Sequence, residues 1–220
     1  MEQTISGVGV VDKSVRVLDA VAEAPGPVAL TDLVVATGLP KPTAHRLASA
    51  LEVHGLLRRD HEGRYLLGVR LIGLGQAAAA DWPLAEAARP ALEDLRAATG
   101  ESVQLYRRDG EHRVCVVSLE SPHELRTIVP LGSRMPLGVG SAGRILAGED
   151  PDAAWTASVG ERAPGVASVS APVRVEGRLV AAVGISGPLG RLGDHPGEHH
   201  GAAVAAAATA VAEAASRVGA

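Results

Sequence analysis

Apolar positions recur at helical spacing at Val11, Val15, Leu18 and Ala22 until Pro25-Gly26-Pro27 stops the pattern, which predicts a first helix. Val28-Ala29-Leu30 reads as a short extended piece. Thr31 is placed to cap a second, short helix that ends at Gly38, where glycine supplies the left-handed C-terminal residue. Leu39-Pro40 makes a turn. Pro42 suits the first turn of a third helix, because the N–H it lacks would be unpaired there anyway. That helix runs to about Gly55. Alternating segments, Leu56 to Asp60 and Arg64 to Gly68, then flank His61-Glu62-Gly63 in the pattern of a hairpin. Helix, short strand, helix, tight turn, helix and hairpin is the order of a winged helix-turn-helix.

Val69 to Ala80 is helix-compatible and reads as a linker, which Pro83 breaks. Leu84, Ala88, Leu92 and Leu95 form the stripe of a further helix ending at Gly100. Strand-like runs follow at Ser102 to Tyr106, Arg113 to Leu119 and Arg126 to Val129, the first two joined as a hairpin by Arg108-Asp109-Gly110. Gly140 to Ala147 reads as a short helix, and Val166 to Val175 with Arg178 to Ser186 as a hairpin across Glu176-Gly177. A last helix, roughly Gly201 to Val218, places Val204, Val211 and Val218 on one face. The predicted class is α+β: a winged module over 10–68, a linker helix over 69–82, and a larger sensor-like α/β domain over 83–220.

Composition narrows the picture. With 46% hydrophobic and 21% charged residues the chain has the profile of a folded, soluble protein. It has no Phe, two Trp and two Tyr, so its cores must be built from Ala, Val and Leu. A single cysteine, Cys115, excludes an internal disulfide and a cysteine-based zinc site and fits a reducing cytoplasm. Met1 to Ser14 lacks a basic stretch followed by an apolar run, so no signal peptide is expected. The longest apolar stretch, Ala202 to Ala212, is far short of the ~20 residues of a membrane span. Net charge is −4, but it is unevenly spread. Between residues 38 and 70, Lys41, Arg46, Arg58, Arg59, Arg64 and Arg70 outnumber Glu52, Asp60 and Glu62. A basic module in an acidic protein points to nucleic acid more than a whole-chain figure does.

On a helix starting at Lys41, the residues Ala44, Leu47, Ala48 and Leu51 share the inward face. Pro42, His45, Arg46, Ser49 and Val53 then face outward, with Thr43 at the border. Small hydrogen-bonding side chains around a central Arg suit the major groove. Lys41 and Thr43 can hold phosphate beside the free N–H groups of the helix start, and Arg46 can make a bidentate contact with guanine. His45 can donate to a base edge, while Arg58 and Arg64 reach flanking phosphate or the minor groove. The competing reading is a solvated face on a structural module or a non-DNA winged-helix scaffold. One such module contacts few base pairs, so the remaining chain is expected to supply dimerisation, ligand sensing or both.

Leu39-Pro40-Lys41-Pro42-Thr43-Ala44-His45-Arg46-Leu47 and Gly63-Arg64-Tyr65-Leu66-Leu67-Gly68 resemble the N-terminal domain of IclR-type transcriptional regulators. Gly132 to Leu137, Ser141 to Ala147, Gly165 to Val173 and Ser186-Gly187-Pro188 are similar, in the same order, to that family's effector-binding domain. Ala44 to Leu47, Gln104 to Arg108 and Gly165 to Pro172 resemble the actinobacterial branch that regulates amino-acid biosynthesis genes. The resemblance implies a dimeric or tetrameric regulator with a GAF-like C-terminal domain that binds a small effector, a carboxylate or an amino acid, and alters binding to a double-stranded operator. By motif match the pocket uses Ser141, Ala142, Ser168, Gly184 and Ser186, with Leu125, Ile128 and Met135 as apolar walls. Amides around Ser141, at a helix start, can hold a carboxylate. The chain departs from the family where only Gly148 to Ser158 follow Ala147 in place of a longer helical stretch, which shortens the pocket roof. It also has Gly184 where the family often has Ser, removing one ligand contact.

Other motifs carry less. Gly138-Val139-Gly140-Ser141-Ala142-Gly143 spells G-x-G-x-x-G, but Pro130 and Pro136 interrupt the strand a dinucleotide site needs. His195-Pro196-Gly197-Glu198-His199 spells H-x-x-E-H, yet Pro196-Gly197 keeps both histidines off one continuous helix. Neither Ser141 nor Ser186 lies in a G-x-S-x-G elbow, and Cys115 reads as a core or pocket-edge thiol. No metal, cofactor or membrane partner is expected. A small-molecule enzyme built on the sensor-like domain is the alternative function, but it lacks a complete catalytic constellation.

Overall fold

The computed structural model describes residues 6–80 and 83–218, so the end of the predicted linker, 81–82, lies outside the described residues. The chain divides between residues 81 and 82 into two compact units.

In the first unit α1 (Gly9–Ala22), α2 (Leu30–Thr37) and α3 (Lys41–Val53) precede the hairpin β1 (Leu57–Arg59) and β2 (Tyr65–Leu67), and α4 (Arg70–Ala80) follows. Its core is Val17, Val21, Val28, Leu33, Leu39, Ala44, Leu47, Ala48, Leu51, Leu57 and Tyr65. Val28 exchanges backbone hydrogen bonds with Tyr65, adding the predicted extended piece to the hairpin edge. Two expectations fail here. The buried stripe of α1 is Val17 and Val21, whereas Val11 and Val15 are exposed. Apolar residues occupy two faces of α1 at the same four-residue spacing, so periodicity could not choose between them. Thr31 is inside α2 rather than its cap; Ala29 holds that position without a side-chain bond, and Gly38 closes the helix at φ 65°.

The second unit begins with α5 (Pro83–Thr99), whose Leu84, Ala88, Leu92 and Leu95 are buried as their spacing requires. A six-stranded antiparallel sheet follows, in the order β5-β4-β3-β8-β7-β6. It comprises β3 (Ser102–Asp109), β4 (His112–Leu119), β5 (Arg134–Pro136), β6 (Thr156–Val159), β7 (Val166–Val175) and β8 (Arg178–Pro188). Between β5 and β6 lies α6 (Gly140–Ala147); α7 (Leu189–Leu192) and α8 (Pro196–Val218) close the chain. Alternation sorts the two sheet faces. Val103, Leu105, Ala167, Val169, Val183 and Ile185 pack with α5 and α8, while Tyr106, Cys115 and Ala182 pack with Ala142, Ile145 and Leu146 of α6.

Arg126 to Val129 is not a strand. Its alternating burial is real, but the segment runs without a ladder partner and is held instead by Ser102 Oγ donating to the Thr127 carbonyl at 2.6 Å. The short strands β5 and β6 were not legible as pattern. Helix α8 starts at Pro196, five residues earlier than expected, and Val218 is exposed at its end while Val204 and Val211 are fully buried.

Candidate nucleic-acid interface and effector cavity

Helix α3 buries Ala44, Leu47, Ala48 and Leu51 and exposes Lys41, Pro42, His45 and Arg46, with Thr43 half-buried at the border. The side chains of Thr43, His45 and Arg46 therefore project from one accessible face. Ion pairing divides the local cations. Arg59 bonds Glu52 at 3.0 Å and reaches Ser49 Oγ at 3.4 Å, so Ser49 is already engaged. Arg64 pairs with Asp60 at 2.8 Å and with Glu62 at 3.2 Å, which removes it as a free phosphate cation. Burial pushes the Asp60 carboxyl up, but the backbone and side-chain N–H groups of Arg64 outweigh it and hold the group below the usual carboxylate value. Among the described residues Lys41, Arg46 and Arg58 have no acidic partner.

The second unit has a small serine-lined cavity of about 20 Å³ beneath α6. That is room for about one water and far below the roughly 300–1,000 Å³ of ligand pockets. Its floor is built by alternation: Ala167, Val169 and Ala171 point to the apolar core, so Ser168 and Ser170 point to the α6 side. Register places Ser168 beside Ser158 and Ser186, and Ser170 beside Gly184. Ser141 Oγ, at the start of α6, lies 2.8 Å from both Ser168 Oγ and Ser170 Oγ. Ser186 Oγ donates to Gln104 Oε1 at 3.0 Å, and the Gln104 Nε2 has no partner among the described residues.

Of the residues expected here, Ser141, Ala142, Ser168 and Ser186 line the cavity and Gly184 does not. A Cβ on Gly184 would stand 2.2 Å from Ser170 Oγ. The glycine is thus the space that lets Ser170 reach Ser141. Leu125 and Ile128 are 71% and 55% exposed, because their segment runs outside the sheet, and they wall nothing here. Met135 packs behind the site, with its Sδ 3.7 Å from Arg113 Nη2.

Arg113 is the least expected member. It is 3% exposed and donates from Nη1 to the carbonyls of Pro136 at 2.6 Å and Val139 at 2.7 Å, pinning the segment that leads into α6. Its guanidinium lies over the Tyr106 ring at 5.5 Å. Burial pulls the Arg113 pKa below the usual arginine value and pushes that of the Tyr106 phenol above its own. Arg113 shares the phase of Cys115 on the α6 side of β4, while a bulge turns Val117 and Leu119 to the opposite face. Among the described residues no Asp, Glu or His lines the cavity, whereas Arg113 and Arg162 both do. An open groove of about 550 Å³ between α5 and α8 is lined mostly by alanine and has no such cluster.

Residues 10–61 match the IclR helix-turn-helix domain, and residues 76–154 match the C-terminal domain of bacterial IclR transcriptional regulators. The chain belongs to the IclR family. Among IclR-family relatives, the HTH-type transcriptional regulator KipR of Bacillus subtilis is 36% identical over 61% of this chain and 53% of its own length. This chain spans about half the length of the curated relatives it matches, 53% of KipR and 49% of the transcriptional repressor IclR of Escherichia coli. An IclR transcriptional regulator of Alicyclobacillus acidocaldarius has the same fold, with a TM-score of 0.77 at 22% identity over 94% of this chain and 98% of that one. The second IclR match stops at residue 154, between α6 and β6. Among the described residues no helix is long and apolar enough to cross a membrane, and no cluster of three His, Cys, Asp or Glu is placed to hold a metal.

Proposed function

We propose that this chain is a sequence-specific transcriptional regulator that binds a double-stranded operator in the cytoplasm and whose C-terminal unit senses a small metabolite. The outward face of α3 carries the reading: Thr43, His45 and Arg46 stand clear of the core over a fully buried opposite face. Arg46 reads a base edge, while Lys41 and Arg58 hold phosphate. Two modules on a symmetric dimer reach successive half-sites about 34 Å apart, so the working form is a homodimer or homotetramer. Exposed Val8, Val11 and Val15 near the start of α1, with Ile72 and Leu74 on α4, supply an apolar surface for a second copy.

The effector is a carboxylate or an amino acid, received by Ser141, Ser168, Ser170 and Ser186 with Gln104 and Arg113. The regulated genes belong to amino-acid biosynthesis, on the likeness of Ala44 to Leu47, Gln104 to Arg108 and Gly165 to Pro172 to that branch. Among the described residues no Asp, Glu or His lines the cavity beside the serines, which supports a binding role for the site.

Selection of DNA fragments by the full chain, followed by anisotropy titration across salt concentrations, tests this. Arg46→Ala should cost about 1–3 kcal/mol on the selected site and relax one base position. Lys41→Ala and Arg58→Ala should weaken all sequences alike and flatten the salt slope by about one unit each. Arg64→Ala should weaken all sequences alike, because it removes a positive charge and leaves Asp60 and Glu62 unneutralised. Equal effects of Arg46→Ala on selected and random DNA would overturn the assignment.

A further inference from the structure

The start of α6 is where an acidic ligand would be expected to bind, yet it is already occupied by the protein's own carboxylate. Glu161 Oε2 accepts from the Gly140 N–H at 2.9 Å, and its Oε1 lies 3.7 Å from Arg144 Nη1. Gly140 is the first residue of α6, so its N–H has no partner inside the helix and is one of the donors a helix start offers to anions.

The neighbouring cavity wants an anion on independent grounds. The Gln104 side chain is 1% exposed; its Oε1 accepts from Ser186, which leaves the Nε2 donor without a partner among the described residues. Arg113 and Arg162 line the same space without an acid among the lining residues. The cavity is also small, since about 20 Å³ admits no metabolite. Among its walls the loop between β6 and β7 is the most exposed part. It runs from Gly160 to Gly165, both at positive φ (72° and 77°), and between them carry Glu161 and Arg162. At its base Gly160 N–H donates to the Val166 carbonyl at 2.8 Å, and the Ala163 and Gly165 carbonyls accept from Val166 and Leu189 N–H at 3.2 and 2.7 Å; toward α6 the loop is held by Glu161.

We propose that the 160–165 loop is a lid latched by Glu161, and that the Glu161 carboxylate holds the place which the acid group of the effector takes. Binding is then an exchange of one carboxylate for another at the Gly140 N–H, which swings the lid outward and opens the serine cavity. The ligand class that can do this is a compact acid whose remaining atoms offer an acceptor to Gln104. This rests on the effector-site reading, because the latch alone does not require that the incoming acid enter among the serines.

Hydrogen exchange at the Gly140 amide of the full chain tests both parts, with sodium formate as the probe and sodium chloride at matched ionic strength as the control. In Glu161→Ala the exchange should quicken about tenfold or more, the loss expected for a charged acceptor at a helix start. Formate should restore the protection in that variant, chloride should not, and the wild type should respond to neither. Glu161→Gln, which keeps the shape, should fall between. Unchanged exchange in Glu161→Ala, or equal rescue by chloride, overturns the latch and leaves the effector site standing. Adding Ser141→Ala should abolish the formate rescue; if the rescue persists in full, the acid does not enter the serine cavity, and the effector-site reading fails with the proposal while the latch contact remains.

Discussion

Replacing Arg191 by Met would strand a buried carboxylate. Glu101 opens the approach to β3 and is 2% exposed; both its oxygens take their hydrogen bonds from Arg191 of α7, the Nη2 contact at 2.7 Å. Arg191 itself is about one-third exposed, 31% by side chain, and its bonds to Glu101 hold its pKa above the usual arginine value against the pull of burial. Two magnitudes compete. An exposed ion pair is worth about 0–1 kcal/mol, whereas removing one partner of a buried pair costs about 3–5 kcal/mol. The group left behind decides between them, and that group is the buried one, so a loss of about 3 kcal/mol is expected, tempered because a departing Arg191 admits water. With urea slopes of about 1–3 kcal/mol per molar, the midpoint should fall by roughly 1–3 M. The double variant Glu101→Met with Arg191→Met should recover most of the loss, since no charge is then left inside. Urea unfolding followed by circular dichroism and tryptophan fluorescence measures both. A single-variant cost below about 1 kcal/mol, or a double variant no better than the single one, would refute the reasoning.

Thr156 Oγ1 is buried without a partner among the described residues, so Thr156→Val should leave stability unchanged or raise it by about 1 kcal/mol in the same assay, and a destabilised variant would refute this. Leu33 is fully buried in the first unit, and Leu33→Ala should cost about 2–5 kcal/mol there, visible as an earlier transition of residues before 81 by hydrogen exchange with the β3–β8 amides unaffected. Burial pushes the Cys115 thiol up to about 12, although its S–H bond to the Val117 carbonyl accompanies it. The folded chain therefore keeps a proton that the unfolded chain gives up, and stability should fall by about 1.4 kcal/mol per pH unit as pH rises from the ordinary thiol range near 9 toward 12. Cys115→Ala should remove that alkaline slope in urea titrations at stepped pH.

Much of the fold was legible because its signals are local. Pro25-Gly26-Pro27 and Gly38 end helices by backbone geometry alone, and Pro42 marks the first turn of α3. The inward set Ala44, Leu47, Ala48 and Leu51 follows from helical periodicity, and the outward placement of His45 and Arg46 follows from that set. The helix Gly140–Ala147 and the hairpin turn at Glu176-Gly177 were readable for the same reason. Where two faces were equally apolar, as on α1, the pattern had no means of choosing. Arg126 to Val129 alternated as a strand does, yet no neighbouring strand offered it a ladder.

Pairing between distant segments settled the rest. Ser170 enters the cavity because Gly184, fourteen positions along but opposite it in register, leaves room for its hydroxyl. Arg64 looked like a phosphate ligand until the wing folded Asp60 and Glu62 against it. Glu161 stood in a Gly/Pro-rich loop and meets the Gly140 N–H only when β6 and β7 pair beneath α6. Sequence alone determined which residues could form a helix, end it and turn one face to water, since those preferences act within a few residues. Which charges are neutralised, which hydroxyls converge and whether the cavity stands open were decided by tertiary structure, because each depends on groups that only the folded sheet brings within hydrogen-bond reach.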